Sequence, residues 1–483
     1  MLNTKKSLII YVNQIFSLLC GLINTYVITR VIIPEDLGSF RLIQNIIFIF
    51  FFINTSGYSS LTFKKIAINH NDKQKYFSTN LFIDLFFGIF ATLLFIILSL
   101  GKYINLGEAS TALIFLVLFE IFVRRIFVEN LFNIFNAKNQ IEKVQISVLI
   151  QTILSSLLII LVVRFSKNIE VLSLVYLIKS CIGLIIILYY LTLSDMKIRI
   201  KMYPEIIAKF WLFTKPLLFS IILTVLYTNL GPILVGYYSG TNELGLFSVA
   251  KKFNVMVLAV SASVTTIVFS NFSNYIENND AIRMATFSKK VTKYISIIVL
   301  FVIGAIIIFS DVLMHIFIGE DYYNSRVLII MFMVPVYFTS VSRTITSVLW
   351  ASENTKNIAM INVVTRTLGL ITLILLIPKE INNVELLGFG AMGIIISHSI
   401  VGLISIIMTI YYNWKSLNLS FYYRIFIHII IFSLLIISFD YLKAYFVNYT
   451  SMFFILFPLF SISYFSLLII FKELKIREIL NIK

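Results

Sequence analysis

Asp36-Leu37-Gly38-Ser39-Phe40 and Glu243-Leu244-Gly245-Leu246-Phe247 carry one pattern, acid-Leu-Gly-x-Phe, at two points 207 positions apart. Each follows a long apolar run and opens another. An acid at a helix start faces the unpaired N–H groups and the positive end of the helix dipole, so both stretches read as helix beginnings. Matching starts in two hydrophobic halves point to an internal duplication. Asp36, Gly38, Glu243 and Gly245 are then landmarks of the repeat, and capping is favoured over ion binding for the two acids.

Hydrophobic residues make up 59% of the 483 and charged residues 13%, with a mean hydropathy of +0.96. An ordinary globular domain is about 25% charged, so this composition belongs to an all-α integral membrane protein. The net charge of +16 is expected in cytoplasmic loops and not on a nucleic-acid surface. Cys20 and Cys181 fall inside apolar runs, where a structural disulfide is not expected. Lys5 and Lys6 precede the first apolar run without a small-x-small cleavage site, which reads as a retained helix.

About fourteen spans of roughly 20 residues fit the chain. Residues 1–194 hold six and form an N-terminal lobe. A basic stretch follows over 195–215, with Lys197, Arg199, Lys201, Lys209 and Lys215, and reads as a cytoplasmic linker. Six more spans occupy a C-terminal lobe over 216–415. A last pair and a basic tail (Lys472, Lys475, Arg477, Lys483) fill 416–483. With both termini cytoplasmic, 24 of the 39 Lys and Arg fall on the cytoplasmic side and eight on the exterior, the alternation that the positive-inside rule demands. Phe135-Asn136-Ala137-Lys138-Asn139-Gln140 and Trp350-Ala351-Ser352-Glu353-Asn354-Thr355 end the fourth and tenth spans alike. Two such bundles usually place a substrate site at their interface.

Val31–Phe40 and Val235–Phe253 resemble the openings of polysaccharide exporters of the multidrug/oligosaccharidyl-lipid/polysaccharide superfamily, and Gly319-Glu320-Asp321-Tyr322-Tyr323 is similar to its Gly-acid-x-Tyr turn. More narrowly, the chain resembles Wzx-type O-antigen flippases along its whole length. The resemblance implies a two-lobed, alternating-access carrier in the bacterial inner membrane. Its cargo would be an undecaprenyl-diphosphate-linked oligosaccharide moved to the outer leaflet, and its partners would include membrane lipids, a polysaccharide polymerase and chain-length proteins.

The charged residues within spans test that implication. A charge at the bilayer centre costs about 2.5–3.5 kcal/mol on insertion scales, so each needs a partner or a watery cavity. The basic ones are Arg124, Arg125, Lys179, Lys251, Lys252, Arg343 and Arg366; the acids are Asp84, Glu120 and Glu129. Seven against three points to an anionic cargo. Glu120 with Arg124, and Arg125 with Glu129, are four apart and can pair along one helix face, a reading that stands beside the cavity reading. Arg343 and Arg366 have no acid within a turn and are the stronger candidates for cavity cations. Of the adjacent Lys251 and Lys252, about 100° apart around a helix, only one is expected to face a cavity. Arg30 and Arg41 flank the first motif, where anchoring at the interface and cargo binding both fit.

No Gly-x-x-x-x-Gly-Lys-Ser/Thr loop is present, and no cofactor is expected. Transport would draw on membrane potential, H⁺ or Na⁺, with Asp84, Glu120 and Glu129 as candidates for ion coupling. His398 and His428 stand isolated in sequence, so packing or interhelical hydrogen bonding is favoured over metal binding. A drug–cation antiporter of the same superfamily would favour acids over bases in its cavity. A membrane glycan polymerase or ligase would need a long exterior loop, and the stretch around Ser310–Arg326 is short. A carrier, not an enzyme, is the expectation.

Overall fold

The computed structural model describes residues 4–51, 57–68, 71–101, 110–163, 165–194, 196–446 and 449–474. Asp195 and the tail residues Lys475, Arg477 and Lys483 lie outside them. The first half contains α1 (Thr4–Val31), α2 (Pro34–Phe50), α3 (Gly57–Ala67), α4 (Lys73–Leu100), α5 (Thr111–Phe122), α6 (Glu129–Ala137), α7 (Ile141–Leu158) and α8 (Ile169–Thr192). Then come α9 (Pro204–Tyr238), α10 (Thr241–Glu277), α11 (Ala281–Ile308), α12 (Ser310–Phe317), α13 (Ser325–Ala351), α14 (Thr355–Leu376), α15 (Gly390–Leu417), α16 (Ile425–Lys443) and α17 (Tyr449–Ile470). A π-helical turn, Val123–Val128, joins α5 to α6 without a break.

Among the described residues, twelve helices are long and apolar enough to cross a membrane. The two other expected spans are present in altered form. α2 has 17 residues before the described chain pauses at Phe51, and the fourth span is the α5–π–α6 run, which carries four charges. A two-residue hairpin, Glu380–Ile381 with Val384–Glu385, is the sheet recorded, turned by Asn382 and Asn383 at φ 48° and 66°.

Residues group into two compact units, Met1–Ser248 with Leu370–Ile394 and Val249–Gly369 with Ile395–Lys483. Within the first unit, α9 packs on α2, α3 and α4. Pro204, suited to a first helical position by its fixed φ, starts α9, and Ile206 and Phe210, four apart, bury against Tyr58 and Tyr76.

The two glycine motifs meet within the first unit. A Cβ on Gly38 would lie 1.7 Å from the Thr241 carbonyl oxygen, and one on Gly245 would lie 1.9 Å from that of Pro34. Each carbonyl belongs to the residue four before the partner glycine, so the contact is reciprocal. Backbones approach this closely only where both residues lack side chains. The acids beside them differ. Asp36 sits in the first turn of α2, whose N-cap Ile33 supplies no side-chain hydrogen bond. Glu243 accepts a bond from the Ala391 amide at 2.8 Å, so it caps α15 and not the helix it begins. Gly390, at φ +53°, leaves room for that carboxylate, which a Cβ would approach to 2.5 Å.

The turns that end α6 and α13 also match, each with a left-handed residue, Asn139 (φ 56°) and Glu353 (φ 53°). Gln140 donates to the Phe135 carbonyl and Asn354 to that of Leu349, so Asn139 corresponds to Glu353, one position off the sequence pairing.

In the second unit, His428 is not isolated. Its Nε2 faces Glu473 at 3.2 Å, and its Nδ1 lies 3.0 Å from Ser296 Oγ, itself 2.9 Å from Tyr337 Oη. Arg424 Nε lies 3.0 Å from the buried Glu473 carboxylate, to which Tyr422 Oη also donates. Burial and that carboxylate push the Tyr422 phenol up from its ordinary pKa. The network ties the end of α17 to α16, α11 and α13.

Gly38→Val is expected to force the two helix starts apart, at about 1–3 kcal/mol or more, and to lower the unfolding midpoint of detergent-purified protein. Ser39→Val, one residue on, should leave the midpoint nearly unchanged. Glu473→Ala removes the shared acceptor of Arg424, Tyr422 and His428, at about 1–3 kcal/mol, and Glu473→Gln should recover part of the lost midpoint.

Candidate functional site

Polar side chains in an apolar bundle mark where function is carried, because each is costly there. In the first unit, Glu120 and Arg124 pair at 2.7 Å, Arg125 and Glu129 at 2.9 Å, and Arg124 reaches Glu129 at 3.8 Å. The four residues span the π-helical turn, a local widening often found at functional positions. Both guanidinium groups sit over the Phe48 ring, at 5.3 and 5.1 Å, and Ser180 donates to Glu120 at 3.1 Å. Lys179, one residue before Ser180 on α8, lies within electrostatic reach of Arg124 and Glu120. α2, α8 and the π turn thus gather three cations against two carboxylates.

Arg41 donates to Gln44 at 2.6 Å and lies over Phe40, which stacks on Tyr176 at 5.8 Å. Arg30 is exposed, with its guanidinium 3.9 Å from the Tyr26 ring centre. These contacts hold both arginines against aromatic rings of their own helices.

Asp84 is fully enclosed. Tyr58 Oη donates to its Oδ1 at 2.7 Å, and the Nδ2 groups of Asn80 and Asn130 donate to its Oδ2 at 2.8 and 2.7 Å. Beside this cage is a cavity of about 10 Å³, roughly room for one water, lined by Ser59, Thr62, Asn80, Asn130 and Asn133 among apolar groups. The cage joins α3, α4 and α6. Asn80 and Asn130, polar residues inside apolar runs, were its available sequence signal; their convergence was not legible.

In the second unit, Lys251 on α10 and Arg366 on α14 both act electrostatically on His398 of α15. Three helices therefore bring two cations within electrostatic reach of one imidazole. Lys252 is half-buried next to Lys251. Arg343 is exposed on α13, the candidate span with the largest buried share, 67%. It has no hydrogen bond or ion pair among the described residues, in contrast to the paired arginines of the first unit. Arg343 therefore offers its charge outward, while Arg366 and Lys251 offer theirs beside that imidazole.

A family model described as polysaccharide biosynthesis protein matches residues 27–327. The Staphylococcus aureus capsular polysaccharide biosynthesis protein CapF is 28% identical over 320 residues, 64% of this chain and 74% of that protein. Among solved structures, the fold matches the lipid II flippase MurJ in an inward closed conformation, with a TM-score of 0.75 at 17% identity, covering 95% of this chain and 98% of that one. It also matches an inward-facing multidrug resistance MATE family transporter of the MOP superfamily, with a TM-score of 0.61 at 15% identity, covering 84% and 95%. The fold is thus shared with these two solved structures, and the chain belongs to the polysaccharide biosynthesis protein family.

Proposed function

We propose that this protein is a flippase for a lipid-linked oligosaccharide. It moves undecaprenyl-diphosphate-linked repeat units of a surface polysaccharide, O-antigen or capsular, from the cytoplasmic to the outer leaflet of the bacterial inner membrane. Both termini lie in the cytoplasm. The observation that carries the reading is the charge balance within the helices. Seven cations face three acids within the spans, and Arg343 is exposed with no ion pair among the described residues. A diphosphate headgroup is the complement of such an excess, and guanidinium groups match phosphate geometry. Membership of a polysaccharide biosynthesis family and a transporter fold support the same cargo class.

Energy follows from the cargo's charge. A diphosphate carries about two negative charges, and each is worth about 2.3 kcal/mol per 100 mV, so a negative-inside potential favours outward movement by roughly 4–5 kcal/mol. Antiport of H⁺ or Na⁺ adds to this drive, and the enclosed Asp84 is the carboxylate best placed to carry it.

Deleting the protein should cause unflipped lipid-linked oligosaccharide to accumulate in the inner leaflet, and re-expression should clear it. Arg343→Ala or Arg366→Ala, expressed normally, should slow clearance about tenfold or more, since one charge-assisted contact is worth about 1.5–3 kcal/mol. Full clearance by both variants would contradict the cation assignments. Asp84→Asn keeps the shape of its cage while removing the charge. Inverted membrane vesicles carrying it should retain potential-driven transport and lose the response to an imposed H⁺ or Na⁺ gradient; an unaltered response would remove Asp84 from coupling.

A further inference from the structure

The chain between the eighth and ninth helices is more than a connection. Met196–Tyr203 runs extended along the start of α4, with Gln74 bonding the Lys197 backbone on both sides, Nε2 to its carbonyl at 2.6 Å and Oε1 from its amide at 3.1 Å. The Tyr203 amide donates to Thr79 Oγ1 at 3.3 Å. This pinning brings together amines that are far apart in sequence. Lys65 and Lys209 lie 5.7 and 6.0 Å from the ring centre of Tyr76, and Lys201 and Lys75 lie 5.3 and 6.0 Å from that of Tyr203. Residues 64–75 and 196–215 contain nine Lys and Arg against two acids, Asp72 and Glu205. Both acids sit on Lys75, at 3.1 and 3.4 Å, so the excess rests with the other cations.

Holding like charges together in this way calls for an anionic partner. Its kind follows from the neighbouring apolar groups. Ile198, Ile200, Met202, Trp211 and Leu212 are all exposed, Leu212 at 79%. Lys197, Arg199 and Lys201 alternate in sequence with Ile198, Ile200 and Met202, and all six are exposed, so charged and apolar groups are presented together. The candidate membrane span of α9 includes Leu218–Tyr238, so Leu212 lies no more than six residues, about 9 Å, before it. A soluble polyanion would have no use for exposed Trp and Leu at that depth, whereas a bilayer surface meets both the apolar and the basic groups.

We propose that residues 196–212, with Lys65 of α3, form an interfacial platform that binds the headgroups of anionic phospholipids. The platform is independent of the cargo reading and is tested without transport. The full-length protein is placed in nanodiscs of phosphatidylcholine with and without phosphatidylglycerol, and the unfolding midpoint and Trp211 emission are read. Phosphatidylglycerol should raise the midpoint. The triple variant Lys65→Gln, Lys201→Gln, Lys209→Gln should lose at least half of that gain while matching the wild type in pure phosphatidylcholine. Should the variant fold poorly, the wild type still decides. Brominated phosphatidylglycerol should quench its emission more than brominated phosphatidylcholine does, and Trp211→Phe should lose that difference. Equal midpoints and equal quenching in the two lipids would overturn the proposal. So would a gain produced by polyprenyl diphosphate and not by phosphatidylglycerol, which would assign the surface to the cargo.

Discussion

The close approach of two glycines, Gly38 and Gly245, governs how the first unit is put together. Each leaves no space for a Cβ against a carbonyl four residues before the other, Thr241 and Pro34. Only backbones in van der Waals contact can satisfy both conditions. The starts of α2 and α10, separated by some two hundred residues, are therefore fixed together, and the helices that leave them carry Arg41 and Phe48 on one side and Lys251 and Lys252 on the other. Glu243, capping α15 beside Gly390, adds a third helix start to the same junction. The repeat seen in the sequence is thus a packing device, in which duplicated glycines serve each other.

Charge is the second constraint. Arginine in a membrane helix survives either by pairing or by facing water. Arg124 and Arg125 pair with Glu120 and Glu129 across a π turn, whereas Arg343 is exposed and Arg366 lies near Lys251 and His398.

Local features were legible in the sequence. The helical architecture, the glycine motifs and the four-residue spacing of the Arg–Glu pairs depend on residues within a few turns of each other. Features made across helices were not. His428 joins Glu473 and Ser296, respectively 45 and 132 positions away, and no spacing rule links such distances. The Asp84 cage draws on Tyr58 and Asn130 in the same way. Within the basic stretch 195–215, the lysines mask the Ile206–Phe210 stripe, which buries on Tyr58 and Tyr76.

The proposed function is that this chain moves a lipid-linked oligosaccharide across a bilayer. Its most direct test uses purified protein in liposomes containing undecaprenyl-diphosphate-linked oligosaccharide, with an outer-leaflet lectin or glycosidase reporting the exposed fraction after a potential is imposed. Exposure should rise well above that of protein-free liposomes and increase with a potential that is negative on the side where the cargo starts. Exposure equal to that of protein-free liposomes at every potential would contradict the account.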